Sequence, residues 1–163
     1  MTSLLDNPMR ESLQAGRMAG SAAQASLTQL LARSALGPVL LCLRAGTGHA
    51  CALLAQDAAI SACSEVRACG PREWLLLESL RGRPLARVYL LPDSDFCEWD
   101  ALCALLPQRT GARPATLAMA GPALCVHQQI GRGLCIWPQQ RLSSAGRALC
   151  RALAREEACL LHD

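Results

Sequence analysis

Glu73-Trp74-Leu75-Leu76-Leu77-Glu78-Ser79-Leu80-Arg81-Gly82-Arg83-Pro84-Leu85-Ala86-Arg87-Val88-Tyr89-Leu90-Leu91-Pro92-Asp93-Ser94-Asp95 decides the fold of this chain. Two apolar runs, Glu73 to Glu78 and Leu85 to Leu91, flank a loop whose Gly82 and Pro84 suit a chain reversal, which predicts an antiparallel hairpin. The second strand runs into Pro92-Asp93-Ser94-Asp95, a turn that opens a helix over residues 95–106. Asp95 with Glu98 three residues on matches a capping box, and Phe96, Trp99, Leu102, Cys103, Leu105 and Leu106 are spaced as one buried stripe before Pro107. Two of the three tryptophans, the one tyrosine and the one phenylalanine fall in this block, so it is expected to hold the centre of the core.

Towards the C-terminus, Thr116 to Ala120, Leu124 to His127 and Leu134 to Trp137 are short apolar runs separated by Gly121-Pro122 and Gly131-Arg132-Gly133, the punctuation of strands. A helix is predicted over residues 142–161, capped by Ser143 or Ser144, with Ala145, Leu149, Ala152, Leu153 and Leu160 on its apolar face. Arg147, Arg151 and Arg155 recur every four residues and stack on one side. That stripe reads as a solvated face partly neutralised by Glu156 and Glu157, or else as a grip for carboxylates or phosphates. Towards the N-terminus, Asp6-Asn7-Pro8 can start one helical segment, and Leu27, Leu30, Leu31 and Ala35 form the stripe of a second that Gly37-Pro38 stops. Val39 to Leu43 and Cys51 to Leu54 read as further strands. The prediction is therefore a single α+β domain over residues 1–163, with a helical arm at 1–36, an antiparallel sheet within 38–137 that includes the helix 95–106, and a C-terminal helix.

Composition narrows the function classes. Ten cysteines in 163 residues are spread almost evenly with no Cys-x-x-Cys, whereas structural zinc and redox sites bunch their ligands two to four residues apart. The chain is long enough to bury a core without bridges, so these read as thiols in a reducing cytoplasm, mostly as small core hydrophobes. All sixteen basic residues are arginine, and the net charge of +3 does not by itself imply nucleic acid. The opening residues carry Asp6 and Glu11 without the apolar stretch of an export signal, and no run approaches the roughly 20 apolar residues of a membrane span.

Catalytic signatures are sparse. Without lysine there is no P-loop, and Gly-x-Ser-x-Gly is absent. His49, His127 and His162 lie in no recognisable Cys-His signature, which leaves a small thiol-dependent enzyme as a third-ranked reading. Asp93, Asp95, Glu98 and Asp100 could hold a divalent cation through oxygen, yet ahead of a helix they serve equally as caps and as anions near the positive end of its dipole. His49 with Cys51, and Cys125 with His127, are pairs two residues apart that share a strand face and could each donate two soft ligands.

The segment from about Cys63 to Pro107, with Trp74-Leu75-Leu76-Leu77 leading through Gly82-Arg83-Pro84-Leu85 into Val88-Tyr89-Leu90-Leu91-Pro92-Asp93-Ser94-Asp95 and a helix, resembles part of the bacterial cytoplasmic haem-utilisation proteins known as hemin transport proteins. The resemblance covers about a third of the chain and lies in structural residues. It implies an α+β fold that receives haem after uptake and passes it on, often as a homodimer. No histidine here aligns with a haem ligand of that family. On chemistry alone, His127 at the end of an apolar strand is the best axial ligand, with Arg132 and Arg151 as cations for the propionates. The alternative class is an interaction protein, such as a secretion chaperone or adaptor, that docks a polypeptide.

Overall fold

The predicted hairpin forms the middle of a larger sheet. A computed structural model describes residues 30–31, 34–43, 58–68, 70–110, 123–130, 133–157 and 160–162. Its strands are β1 (Pro38–Leu43), β2 (Ala59–Arg67), β3 (Gly70–Glu78), β4 (Pro84–Leu90), β5 (Gln108–Thr110), β6 (Ala123–Ile130), β7 (Gly133–Ile136) and β8 (Leu160–His162). Two helices, α1 (Phe96–Cys103) and α2 (Ser144–Glu156), complete the described elements with a short 3-10 turn at Gln139–Arg141. The strand order is β5-β2-β3-β4-β1-β6-β7, and β8 lies against β6.

The α+β class holds, with one correction: the sheet is mixed. Most neighbours run antiparallel, but β5 runs parallel to β2 and β8 runs parallel to β6. Each parallel strand is reached through a helix, α1 before β5 and α2 before β8, and such a crossover is what a parallel neighbour requires. The predicted helical arm lies outside the described residues except at 30–31 and 34–36, where Leu30 and Leu31 are helical but Ser34, Ala35 and Leu36 are not, so the helix stops short of the predicted Leu36. The expected strands at Cys51 to Leu54 and Thr116 to Ala120 also lie outside them. The C-terminal helix is shorter than its predicted span and gives way to β8.

Strand alternation sends the apolar side chains to both faces. On one face Val39, Leu41, Ile60, Leu75, Leu77 and Val88 meet Trp99, Leu102 and Leu106 from α1 and the turn after it, together with Leu31. On the other, Leu40, Cys42, Trp74, Leu76, Tyr89 and Val126 meet Cys150 and Leu153 of α2. The sheet is thus the middle of three layers, buried on both sides at its centre. The β3–β4 hairpin closes at Ser79–Arg83, where Gly82 adopts φ +73 and its N–H donates to the Ser79 carbonyl at 2.8 Å.

The α1 stripe is narrower than predicted. Asp95 caps the helix by accepting from the Glu98 N–H at 3.0 Å, and Trp99 is fully buried, its indole N–H donating to Glu73 at 2.8 Å. Phe96 and Leu105, however, are 53% and 73% exposed: Phe96 is the first residue of the helix, and Leu105 lies past its end at Cys103. The α2 face is turned by about one position from the prediction: Gly146, Cys150 and Leu153 are buried, while Ala145 is exposed. No helix among the described residues is long and apolar enough to cross a membrane.

Candidate functional site

The face beneath α2 carries the most unusual chemistry of the chain. Arg87 and Tyr89 alternate with Ala86 and Val88 on β4, so both point towards α2, where Arg87 is completely buried. Its Nη1 donates to both carboxylate oxygens of Glu157, at 2.8 and 3.0 Å, and the Tyr89 hydroxyl donates to the same carboxylate. Burial, and then the Glu157 charge, push the Tyr89 hydroxyl well above its ordinary pKa, so the phenol stays a donor. Glu157 was expected to offset the exposed arginine stripe. It caps the end of α2 and turns inward instead, locking the helix C-terminus to the sheet.

The other end of α2 is seated by the acidic turn. Asp93 accepts from the Ser143 N–H at 2.7 Å and from its hydroxyl at 3.0 Å, and the Ser143 hydroxyl in turn accepts from the Gly146 N–H at 3.0 Å. A carboxylate here also faces the positive end of the helix dipole. Ser94 accepts from the Leu91 N–H and donates to the Pro38 carbonyl, and the Asp95 N–H donates to the Leu36 carbonyl, so the turn is tied to the entry of β1. Asp93 and Asp95 therefore act as caps. No group of three or more His, Cys, Asp or Glu side chains able to hold a metal occurs among the described residues.

Between the first residue of α1 and the inner face of α2 lies a cleft of about 220 Å³, lined by Pro71, Arg72 and Glu73 of β3, Tyr89 to Pro92, Phe96, Leu149 and Leu153. Beyond Arg72, Tyr89 and Leu153 the surface continues into a small notch of about 10 Å³ walled by Glu65, Arg67, Trp74 and Glu156. Trp74 is only 3% exposed, and its Nε1 has no hydrogen-bond partner among the described residues; neither has the Nε of Arg67. Arg67 reaches Glu65 at 2.9 Å and Glu156 at 4.0 Å through its terminal nitrogens. The arrangement offers an apolar trough that ends in a notch of mixed charge, Arg67 and Arg72 against Glu65 and Glu156.

Of the residues predicted as a site, His127 and Arg151 stand on opposite sides of the sheet. His127 pairs with Val39 in the sheet and so faces the α1 side, whereas Arg151 is exposed on α2, which covers the opposite face. Arg132 lies outside the described residues, as do His49 and Cys51. His127 is buried, its Nδ1 donates to the Cys125 carbonyl at 3.1 Å, and burial lowers its pKa from the ordinary 6.5, which keeps the ring neutral. Burial also raises the thiols of Cys63 and Cys125 and pushes those of Cys150 and Cys103 up to about 11 and about 12, away from the thiolate form a nucleophile needs. Cys63, Cys97, Cys103, Cys125, Cys135 and Cys150 are free thiols, and Cys97 and Cys135 are exposed.

Sequence reasoning missed the Arg87–Tyr89–Glu157 cluster and the cleft. The first had a signal, an arginine at an inward position of an otherwise apolar strand. The second had none, being assembled from β3, the end of β4, α1 and α2. No family model, curated protein or solved structure matches the chain.

Proposed function

We propose that the chain is a polypeptide-binding interaction protein, of the adaptor or secretion-chaperone type. The observation that carries this reading is the cleft beside Phe96. Cofactors and drug-sized ligands fill pockets of about 300–1,000 Å³, whereas a trough of about 220 Å³ open at one side holds one or two side chains of a segment that continues past it. Phe96, 53% exposed, lines the cleft with Leu149 and Leu153. The test is selection of a displayed library of random 12-residue peptides on the purified chain. Enrichment that disappears with Phe96→Asp supports the reading, and that substitution suits the first position of a helix. No enrichment above an unrelated protein would reject it.

Haem handling is the second reading, favoured by one feature. The Nδ1 hydrogen bond and lowered pKa of His127 leave its Nε2 unprotonated, the state in which imidazole ligates iron. A haem held there would draw its propionate partners from the α1 side of the sheet and not from Arg151. An absorption titration decides it: a saturable Soret band lost in His127→Ala supports haem, and no saturable band at micromolar haem rejects it.

A further inference from the structure

We propose that Cys125, His127 and His162 form a binding site for zinc(II) on the α1 side of the sheet, where β8 lies against β6. One thiolate and two imidazoles hold the ion, and its fourth position is left to water or a further donor. The site shares no residue with the cleft and does not depend on what the cleft binds.

Sequence spacing supplies two of these ligands, and the fold brings up the third. Cys125 and His127 are two residues apart on β6, where they pair with Leu41 and Val39 of β1. Leu41 and Val39 belong to the apolar layer under α1, so Cys125 and His127 stand on that face. β8 runs parallel to β6 in a register that sets His162 beside Cys125. Its neighbour Leu161 packs into the layer under α2, and alternation puts position 162 on the α1 face. The Cys125 and His127 side chains are described directly; His162 is placed by strand register. Positions 125 and 127 lie about 7 Å apart along one strand, and positions 125 and 162 about 5 Å apart across the pair, a triangle small enough to share one ion.

His127 is already braced as a metal ligand is. Metal-binding histidines donate one ring N–H to a carbonyl or carboxylate, which fixes the tautomer and aims the other nitrogen at the ion. A backbone carbonyl only accepts, so the 3.1 Å bond between Nδ1 and the Cys125 carbonyl puts the proton on Nδ1 and leaves the lone pair of Nε2 for a ligand. The brace and the sulfur thus come from the same residue. Cys125 is a free, half-buried thiol, and as the Zn–S bond forms its proton passes to solvent. A mixed nitrogen and sulfur set suits zinc, whereas magnesium and calcium take oxygen ligands. A haem on His127 would use the same Nε2 but has no need of Cys125 or His162, which separates the two readings.

The test is a titration of cobalt(II), a spectroscopic stand-in for zinc, into the reduced, metal-free full-length chain. The expected result is a thiolate-to-cobalt charge-transfer band in the near ultraviolet that saturates at one equivalent and is displaced by zinc. Cys125→Ser should abolish the band, and His162→Gln should weaken binding by at least about tenfold, the loss typical of removing even an outer partner of a zinc ligand. Cys135→Ser, which removes an exposed thiol paired with Gln128 on the other face of the sheet, should leave band and affinity unchanged. No saturable band, a band that persists in Cys125→Ser, or an unchanged affinity in His162→Gln would each overturn the site. Far-ultraviolet circular dichroism of the metal-free variants identifies a fold lost by substitution, and if Cys125→Ser does not fold, the His162→Gln titration decides alone.

Discussion

Replacing Gly146 with alanine should destabilise the chain, although alanine is the better helix former. An alanine in a helix interior gains up to about 1 kcal/mol over glycine. At this position its Cβ would stand 1.9 Å from Asp93 Oδ2 and 3.1 Å from Asp93 Cγ, so the carboxylate has to move. Moving it breaks the bonds from the Ser143 N–H and hydroxyl. Hydrogen bonds to a charged group contribute roughly 1.5–3 kcal/mol each when buried; these are exposed and water replaces them in part, so about 2 kcal/mol for the two together is reasonable. The net loss is then about 1 kcal/mol. In an Asp93→Ala background the obstacle is gone, and Gly146→Ala should stabilise by up to about 1 kcal/mol. Urea unfolding of the four proteins, followed by tryptophan fluorescence, gives the double-mutant cycle, with a coupling of about 2 kcal/mol expected. The same sign for Gly146→Ala in both backgrounds would refute the account of how α2 is seated.

Glu157→Gln leaves Arg87 buried without its counter-charge and should cost roughly 3–5 kcal/mol in the same assay, whereas Arg87→Met with Glu157→Leu and Tyr89→Phe, which also removes the hydroxyl that donates to Glu157, should recover most of the loss; equal losses in both would contradict the pairing. Because burial lowers the pKa of His127, the unfolded chain takes up the proton first as pH falls through about 6.5, so stability should drop below that pH until the folded value is passed. His127→Gln should flatten that slope, and an unchanged slope would count against a neutral buried ring. Among the described thiols, Cys97 and Cys135 should react quickly with a thiol reagent in the native state, while Cys42, Cys63 and Cys150 should react only on unfolding; peptide mapping after brief labelling reads this directly. Trp99→Ala, which removes a fully buried ring and its bond to Glu73, should cost roughly 3–5 kcal/mol, and a near-neutral effect would place α1 outside the core.

The parts of the fold that were legible are those written in local punctuation. The β3–β4 hairpin and the start of α1 follow from Gly82, Pro84, Asp95 and the apolar runs between them, because a turn and a cap are fixed by residues next to one another. β2 was missed, since Ala59-Ile60-Ser61-Ala62-Cys63-Ser64 is small and weakly apolar on both faces, and only its pairing with β3 along nine residues makes it a strand. β5 and β8 are three residues each, too short for any periodicity, and their parallel partners are chosen by the helices that precede them. The site was legible only in fragments. Asp95 as a cap and the burial of Trp99 could be read, but not that Phe96 at one end of α1 and Leu149 and Leu153 on α2 would wall one cleft. Arg151 and His127 are each in a predicted element; what no local pattern encodes is that a sheet stands between them.

The place of β1 in the interior of the sheet, between β4 and β6, bears on how the chain is made. β1 pairs with β4 on one side and β6 on the other, yet it is the first described strand in chain order. Emerging from a ribosome, Pro38–Leu43 has no β4 until residue 90 is synthesised, and its second edge stays uncovered until residue 130. The β3–β4 hairpin can close by itself and offers a template for one edge, but the other waits on a contact far along the chain, the kind that slows folding. During that interval Leu40, Leu41 and Cys42 form a sticky, unpaired strand, so yield on overexpression should be limited by the time taken to deliver β6, more than by the stability of the finished fold.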